Sequence, residues 1–167
     1  MSYRVVEYED KYQQAVIDLI LPIQQKEFNV PATIKDQPDL LNISSFYKKN
    51  KSNFWVALHE NEVVGTIAMV DFSASQAALR KMFVHRDHRG KVKSVGQKLL
   101  DELKNWCRNK GVNELFLGTF KSMHAAHRFY EKNGFVEIKK EELPSTFPLV
   151  HYDNMFFTCS LLQENIN

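Results

Sequence analysis

Between Leu79 and Leu103 the chain reads LRKMFVHRDHRGKVKSVGQKLLDEL. A short apolar run leads into a basic turn with Gly90, and apolar residues at helical spacing follow from about Gly96. That order is suited to holding an anion. The first turn of a helix presents backbone N–H groups with no partner inside the helix, and the aligned peptide dipoles add roughly half a positive charge. Gly90 and Gly96 let a bulky phosphate approach the backbone, while Arg89, Lys91, Lys93 and Lys98 supply mobile cations. The stretch is read as a pocket for the pyrophosphate of a cofactor. It lacks the Gly-x-x-x-x-Gly-Lys-Ser/Thr order of a P-loop.

A second group of residues could move protons. Tyr130 carries a phenol that is protonated at neutral pH and able to donate to a departing anion; beside Phe129 it also reads as a core aromatic. Glu27, Asp71, His124 and Asp153 are each eligible as a base and each more readily read as structural or solvated. A water chain would serve as well. His85 and His88 flank the basic turn and suit phosphate or solvent better than a metal, and no pair of histidines or carboxylates has metal-ligand spacing.

The elements that must position these groups follow from periodicity. Ser2 to Glu7 alternates as a strand. Asp10 with Gln13 resembles a capping box before a helix that Pro22 should kink or end. Asp39 to Lys48 reads as a short helix with Leu40, Leu41, Ile43, Phe46 and Tyr47 on its apolar side, and these early helices suit a substrate-side lid. Asn53 to His59 and Glu62 to Val70 form a hairpin about Glu60-Asn61, and Ala77 to His85 is the third strand of the meander. The helix after the basic turn carries Val92, Val95, Leu99, Leu103 and Trp106 as its stripe and ends at Gly111. A strand from Glu114 to Leu117, a helix from Ser122 to Asn133, and strands from Phe135 to Lys139 and His151 to Leu161 complete the order. The expected fold is α/β (α+β), one domain over residues 1–167, with a mixed and mostly antiparallel sheet of about seven strands and about four helices.

Composition narrows the partners. In 167 residues, 44% are hydrophobic and the net charge is only +2, which fits a globular domain with one core. A nucleic-acid binder would show a broader basic face. Cys107 and Cys159 are too few for a disulfide framework and read as buried free thiols. No apolar signal core or run of membrane-spanning length appears, so a cytoplasmic location without membrane attachment is expected.

Three blocks resemble the Gcn5-related N-acetyltransferase (GNAT) superfamily. LRKMFVHRDHRGKVKSVGQKLL, Leu79 to Leu100, is similar to its acyl-CoA block, where a strand precedes an Arg/Gln-x-x-Gly-x-Gly/Ala turn and a Leu-Leu pair. AAHRFYEKNGFVEI, Ala125 to Ile138, is similar to its Ala-x-x-Phe/Leu-Tyr-x-x-x-Gly-Phe block. The hairpin FWVALHENEVVGTIAMV, with Gly65, looks like its second and third strands. Two departures stand out. Aligned on Leu99-Leu100, Ser94 takes the place of the middle glycine, and Met123 the place of an asparagine seven residues before the tyrosine, whose polar contact is then either lost or taken over by Ser122 or His124.

The resemblance implies an acetyl-CoA-dependent N-acetyltransferase with a small-molecule or peptide amine as acceptor and direct attack on the thioester. It implies that Arg89, Gly90, Lys91, Val92, Lys93, Ser94, Val95, Gly96 and Gln97 hold the pyrophosphate. It also implies that Met82, Phe83 and Val84 hold the thioester through their N–H groups, that Phe129 lies against the cofactor, and that Tyr130 is the acid. No metal and no nucleic acid are expected, and homodimerisation is left open. The rival reading is a catalytically silent acyl-CoA-binding module on the same fold.

Overall fold

A computed structural model describes residues 2–162. Its strands are β1 (Tyr3–Glu7), β2 (Asn53–His59), β3 (Glu62–Asp71), β4 (Gln76–Val84), β5 (Glu114–Thr119), β6 (Val136–Ile138) and β7 (Met155–Ser160). They form one seven-stranded sheet in the order β1-β2-β3-β4-β5-β7-β6. Every neighbouring pair is antiparallel except β4 and β5. A parallel neighbour needs a long crossover, and α4 (Val95–Asn109) provides it. The hairpin between β2 and β3 turns tightly because Glu60 and Asn61 both adopt left-handed backbone, at φ 51° and 66°.

Each face of the sheet has its own core. On one, α4 buries Val95, Leu99, Leu100, Leu103 and Cys107 against Trp55, Ile67 and Leu79, joined by Tyr130 from α5 (His124–Lys132). Gly65 of β3 allows that approach, since a Cβ there would stand 3.0 Å from Leu99 Cδ1 and 3.2 Å from Phe83 O. On the other face, α1 (Gln13–Pro22), α2 (Pro38–Leu41) and α3 (Ile43–Tyr47) bury Val16, Ile20, Leu40, Ile43 and Tyr47 against Phe54 and Val56. Both thiols are free and buried, and burial pushes Cys107 up to about 12.

Several expectations need correction. The helix expected over Asp39 to Lys48 is broken at Asn42 (φ −144°), and its buried Leu40, Ile43 and Tyr47 make it a core wall rather than a lid. Asp10 caps no helix; its carboxylate accepts from Ser44 Oγ at 2.7 Å. At Pro22 the expectation holds: α1 ends there, and the chain passes into a single π-turn, Ile23–Glu27, closed by Phe28 N–H donating to Ile23 O at 3.2 Å. Val92 is fully exposed and precedes α4, so it belongs to the turn and not to the helix stripe. The last strand starts at Met155, which leaves Tyr152 and Asp153 in a loop.

Candidate active site

β4 and β5 share a ladder only from Gln76↔Glu114 to Ala78↔Phe116. Beyond it β5 continues against β7 and β4 against β3, so the two parallel strands part. The cleft between them is lined by Leu79 to Phe83 on one side and Leu117 to Phe120 on the other, and is closed by Gln24, Val30, Met123, Tyr130, Phe147, Val150, Tyr152 and Asp153. The edge of β4 that faces β5 has no strand partner past Ala78, which leaves backbone polar groups for a ligand.

A bulge sets the direction of β4. Thr66 pairs with Phe83 and Ala68 with Arg80, so β4 holds one residue more than β3 over that span. Lys81 adopts φ 52°, and its carbonyl accepts from Thr66 Oγ1 at 2.6 Å. The bulge lets Arg80 and Lys81, adjacent in sequence, both face Asp39 of α2. It turns Met82 to the opposite face, where its Cε would lie 3.4 Å from a Cβ on Gly96.

The basic turn departs in detail from its sequence reading. Ser94 is the N-cap of α4 at φ 54°, the left-handed conformation for which glycine is the easy choice. Its N–H donates to Gly90 O at 2.9 Å and its hydroxyl to Lys91 O, so neither is free for phosphate. The N–H groups of Val95, Gly96 and Gln97 make up the open first turn. Arg89 is engaged too. Its Nε donates to Val84 O at 2.8 Å, and its guanidinium grips both oxygens of Glu27, which holds that carboxyl below its ordinary range. Lys93 reaches Asp87 O. His88 bonds Tyr3 OH at 2.9 Å, and His85 Nδ1 accepts from Asp87 N–H at 3.1 Å. Lys91 and Lys98 stay exposed, and Lys132 of α5 lies close enough to Lys91 for the two ammonium charges to lower its pKa. Repelling cations beside an open helix N-terminus fit a polyanion such as a CoA pyrophosphate. Lys132 carries no sequence signal beyond its charge.

Across the cleft, Tyr130 is 6% exposed, with its ring among Phe129, Phe135 and Phe157. Burial, reinforced by the charge of Asp153, raises its phenol well above the ordinary value. Phe129 stands between Tyr130 and Gly96. Met82 and Phe83 line the cleft; Val84 does not, and its carbonyl is held by Arg89.

Of the four candidate bases, only Asp153 reaches the cleft. Glu27 is paired with Arg89, Asp71 accepts from Ser52 Oγ at 2.7 Å, and His124 lies exposed on α5. Burial pushes the Asp153 carboxyl up to about 6, against the pull of Arg80 and Lys81. Lys81 belongs to a buried network: its ammonium reaches Gln37 Oε1, lies 3.5 Å from Asp39 Oδ2, and is lowered to about 8 by desolvation. Tyr47 OH also donates to Asp39. Met123 lines the cleft, while Ser122 Oγ donates to Phe28 O at 3.0 Å, and neither Ser122 nor His124 is among the lining residues.

Comparison with known proteins agrees with this geometry. The acetyltransferase (GNAT) family model matches residues 17–135. The crystal structure of a GNAT-family acetyltransferase from Staphylococcus aureus Mu50 superposes with a TM-score of 0.93 at 37% identity, covering 96% of this chain and all of that one. A probable N-acetyltransferase, camello, from Xenopus tropicalis is 32% identical over 143 residues, which is 84% of this chain and 63% of that protein. The Xenopus tropicalis N-acetylaspartate synthetase is 33% identical over 104 residues, 60% of this chain and 37% of the relative. The chain thus spans less than two thirds of either curated relative. It belongs to the GNAT family.

Proposed function

We propose that this GNAT-family chain transfers an acetyl group from acetyl-CoA to the primary amine of a small molecule, by direct attack of the amine on the thioester. The observation that carries the reading is the convergence of three groups on the cleft where β4 leaves β5: the backbone of the Lys81 bulge, the Tyr130 phenol and the Asp153 carboxylate. Relatives named for N-acetyl transfer, one of them for making N-acetylaspartate, support a small acceptor. So does the wall of Phe147, Val150 and Tyr152 that closes the far end.

Each step has a residue suited to it. The first-turn N–H groups of α4, with Lys91, Lys98 and Lys132, hold the pyrophosphate. The free edge of β4 at Met82 and Phe83 holds the thioester and offers N–H groups to the oxyanion. An ammonium with a pKa near ~10 has no lone pair, so the amine must shed a proton. Asp153, ionised at neutral pH yet raised toward it, accepts that proton. The C–N bond forms, the C–S bond breaks, and Tyr130 donates to the leaving sulfur. The burial that makes the phenol a weaker acid also makes the thiolate a stronger base. Asp153 passes the ammonium proton on to solvent, and the second proton, shed by nitrogen as the amide forms, restores the Tyr130 phenol. An ammonium and a thioester thus become an amide, a thiol and one solvent proton.

The test is free-thiol release from acetyl-CoA over a panel of primary amines, with the acetylated product weighed by mass spectrometry. Amine-dependent release is expected. Binding of CoA without turnover on any amine would overturn the reading in favour of a silent acyl-CoA-binding module.

A further inference from the structure

We infer that Arg80 is the anion-recognising residue of the acceptor pocket, and that the acceptor is an amine carrying a carboxylate, an amino acid. The inference rests on the transferase reading above and specifies its acceptor.

Arg80 is the last residue of β4 before the bulge, on the face that packs α2, and its side chain is only 21% exposed. A guanidinium has five N–H donors and is always charged. Among the described residues this one makes no hydrogen bond, and its nearest acidic atom is Asp39 Oδ2 at 3.9 Å. Leaving a mostly buried charge without hydrogen bonds is costly. Asp39 does not relieve it, because that carboxylate is already engaged by Tyr47 OH and faces the Lys81 ammonium at 3.5 Å. Lys81 is held in turn by Gln37, which exchanges amide hydrogen bonds with Gln24 at 2.8 and 3.2 Å. The neighbours are locked among themselves, and the guanidinium borders the cleft with its donors unmatched.

Charge balance points the same way. Arg80 and Lys81 are offset by Asp39 and Asp153 while Asp153 is ionised. When Asp153 takes the proton of the incoming amine, one positive charge is left over in a closed space. A carboxylate on the acceptor neutralises it, and a guanidinium binds a carboxylate as a planar fork, which a lysine ammonium does not do. Tyr152 and Phe147 in the same wall leave room for a small molecule.

The experiment compares kcat/KM for L-amino acids with acidic, apolar and aromatic side chains against their fully amidated counterparts. Amidation keeps size and amine but removes the negative charge, and it makes the amine less basic, so intrinsic reactivity favours the amide. The wild type is expected to prefer the best acid at least ~100-fold, in keeping with sites that leave buried donors unpaired when the wrong ligand enters. Arg80→Gln should collapse that ratio through KM for the acid, and Arg80→Lys should restore part of it. Turnover of acids and amides alike by the wild type would overturn this inference and leave the transferase reading standing; that result needs no folded variant. If no amine is acetylated, calorimetry of the same panel on the CoA-loaded protein decides. Tighter binding of acid than amide, lost in Arg80→Gln, sustains the Arg80 site while the transferase reading fails, and equal binding overturns both.

Discussion

Asp153 leans on Gly118: a Cβ on that glycine would stand 2.5 Å from Asp153 Oδ2 and 3.0 Å from Asp153 Cβ. β5 therefore carries its hydrogen-only residue where the loop before β7 lays a carboxylate across the strand. Gly118 does not have positive φ, so alanine would act by displacing Asp153 rather than by straining the backbone. Gly118→Ala is expected to lower kcat/KM at least tenfold, up to the ~10²–10⁴-fold that acid–base catalysis contributes. Thiol-release kinetics read it, and undiminished turnover would show that the amine loses its proton elsewhere.

The same carboxylate predicts a trade of stability for activity. Burial penalises its charged form, so folded Asp153 keeps its proton up to about 6, whereas the unfolded chain releases it near ~4. Between those values the folded state binds more protons, so this group's contribution to stability falls as pH rises from 4 to 6. By pH 7 the cost of holding the charge in the folded protein amounts to about 3 kcal/mol. Asp153→Asn should raise Tm by roughly 5–10 °C at pH 7 and by little at pH 4, while the acid limb of the wild-type kcat/KM profile near pH 6 disappears with the activity. A Tm gain of the same size at both pH values would remove burial of charge as its cause.

Tyr130→Phe separates packing from chemistry. The ring contacts with Phe135 and Phe157, at centroid distances of 5.5 and 6.0 Å, survive the change, so Tm and CoA affinity should hold. The expected loss is in kcat, by ~10²–10⁴-fold. An unaltered rate in single-turnover measurements, where chemistry is observed directly, would take Tyr130 out of the acid role.

What could be read in advance was local. Glu60-Asn61 between two alternating runs marks a hairpin, and the basic turn followed by FYEKNGF marks the proposed cofactor side, because each signal lies within a few consecutive residues. Of the residues proposed for the acceptor side, only Asp153 stood out, as one of four eligible bases. Asp39, Arg80 and Asp153 come from three distant segments, and nothing near Lys81 announces a left-handed residue; its φ of 52° is imposed by pairing with β3 and by the Thr66 hydroxyl. The same holds for Arg89, whose partner Glu27 lies 62 residues away. Arg80 and Lys81 could be seen in the strand before the turn, but their burial could not.

Gly96 shows how the structure refines a role that its sequence position only outlined. As the second residue of α4, it was expected to let phosphate approach the backbone. A Cβ there would instead point at Met82 Cε, 3.4 Å away, and at the Phe129 ring, 3.7 Å away. Both distances are ordinary contacts, so Gly96→Ala should fit, stabilise the helix by up to ~1 kcal/mol, and keep acetyl-CoA affinity. Gly96→Leu must drive Met82 and Phe129 apart at the point where β4, α4 and α5 meet, and should weaken acetyl-CoA binding more than tenfold while the protein remains folded. Calorimetric titration of the two variants distinguishes the possibilities. Unchanged affinity in Gly96→Leu would sink the assignment of this turn to the cofactor, and a loss in Gly96→Ala as large as in Gly96→Leu would mean that the ligand touches the Gly96 backbone itself and not the wall formed by Met82 and Phe129.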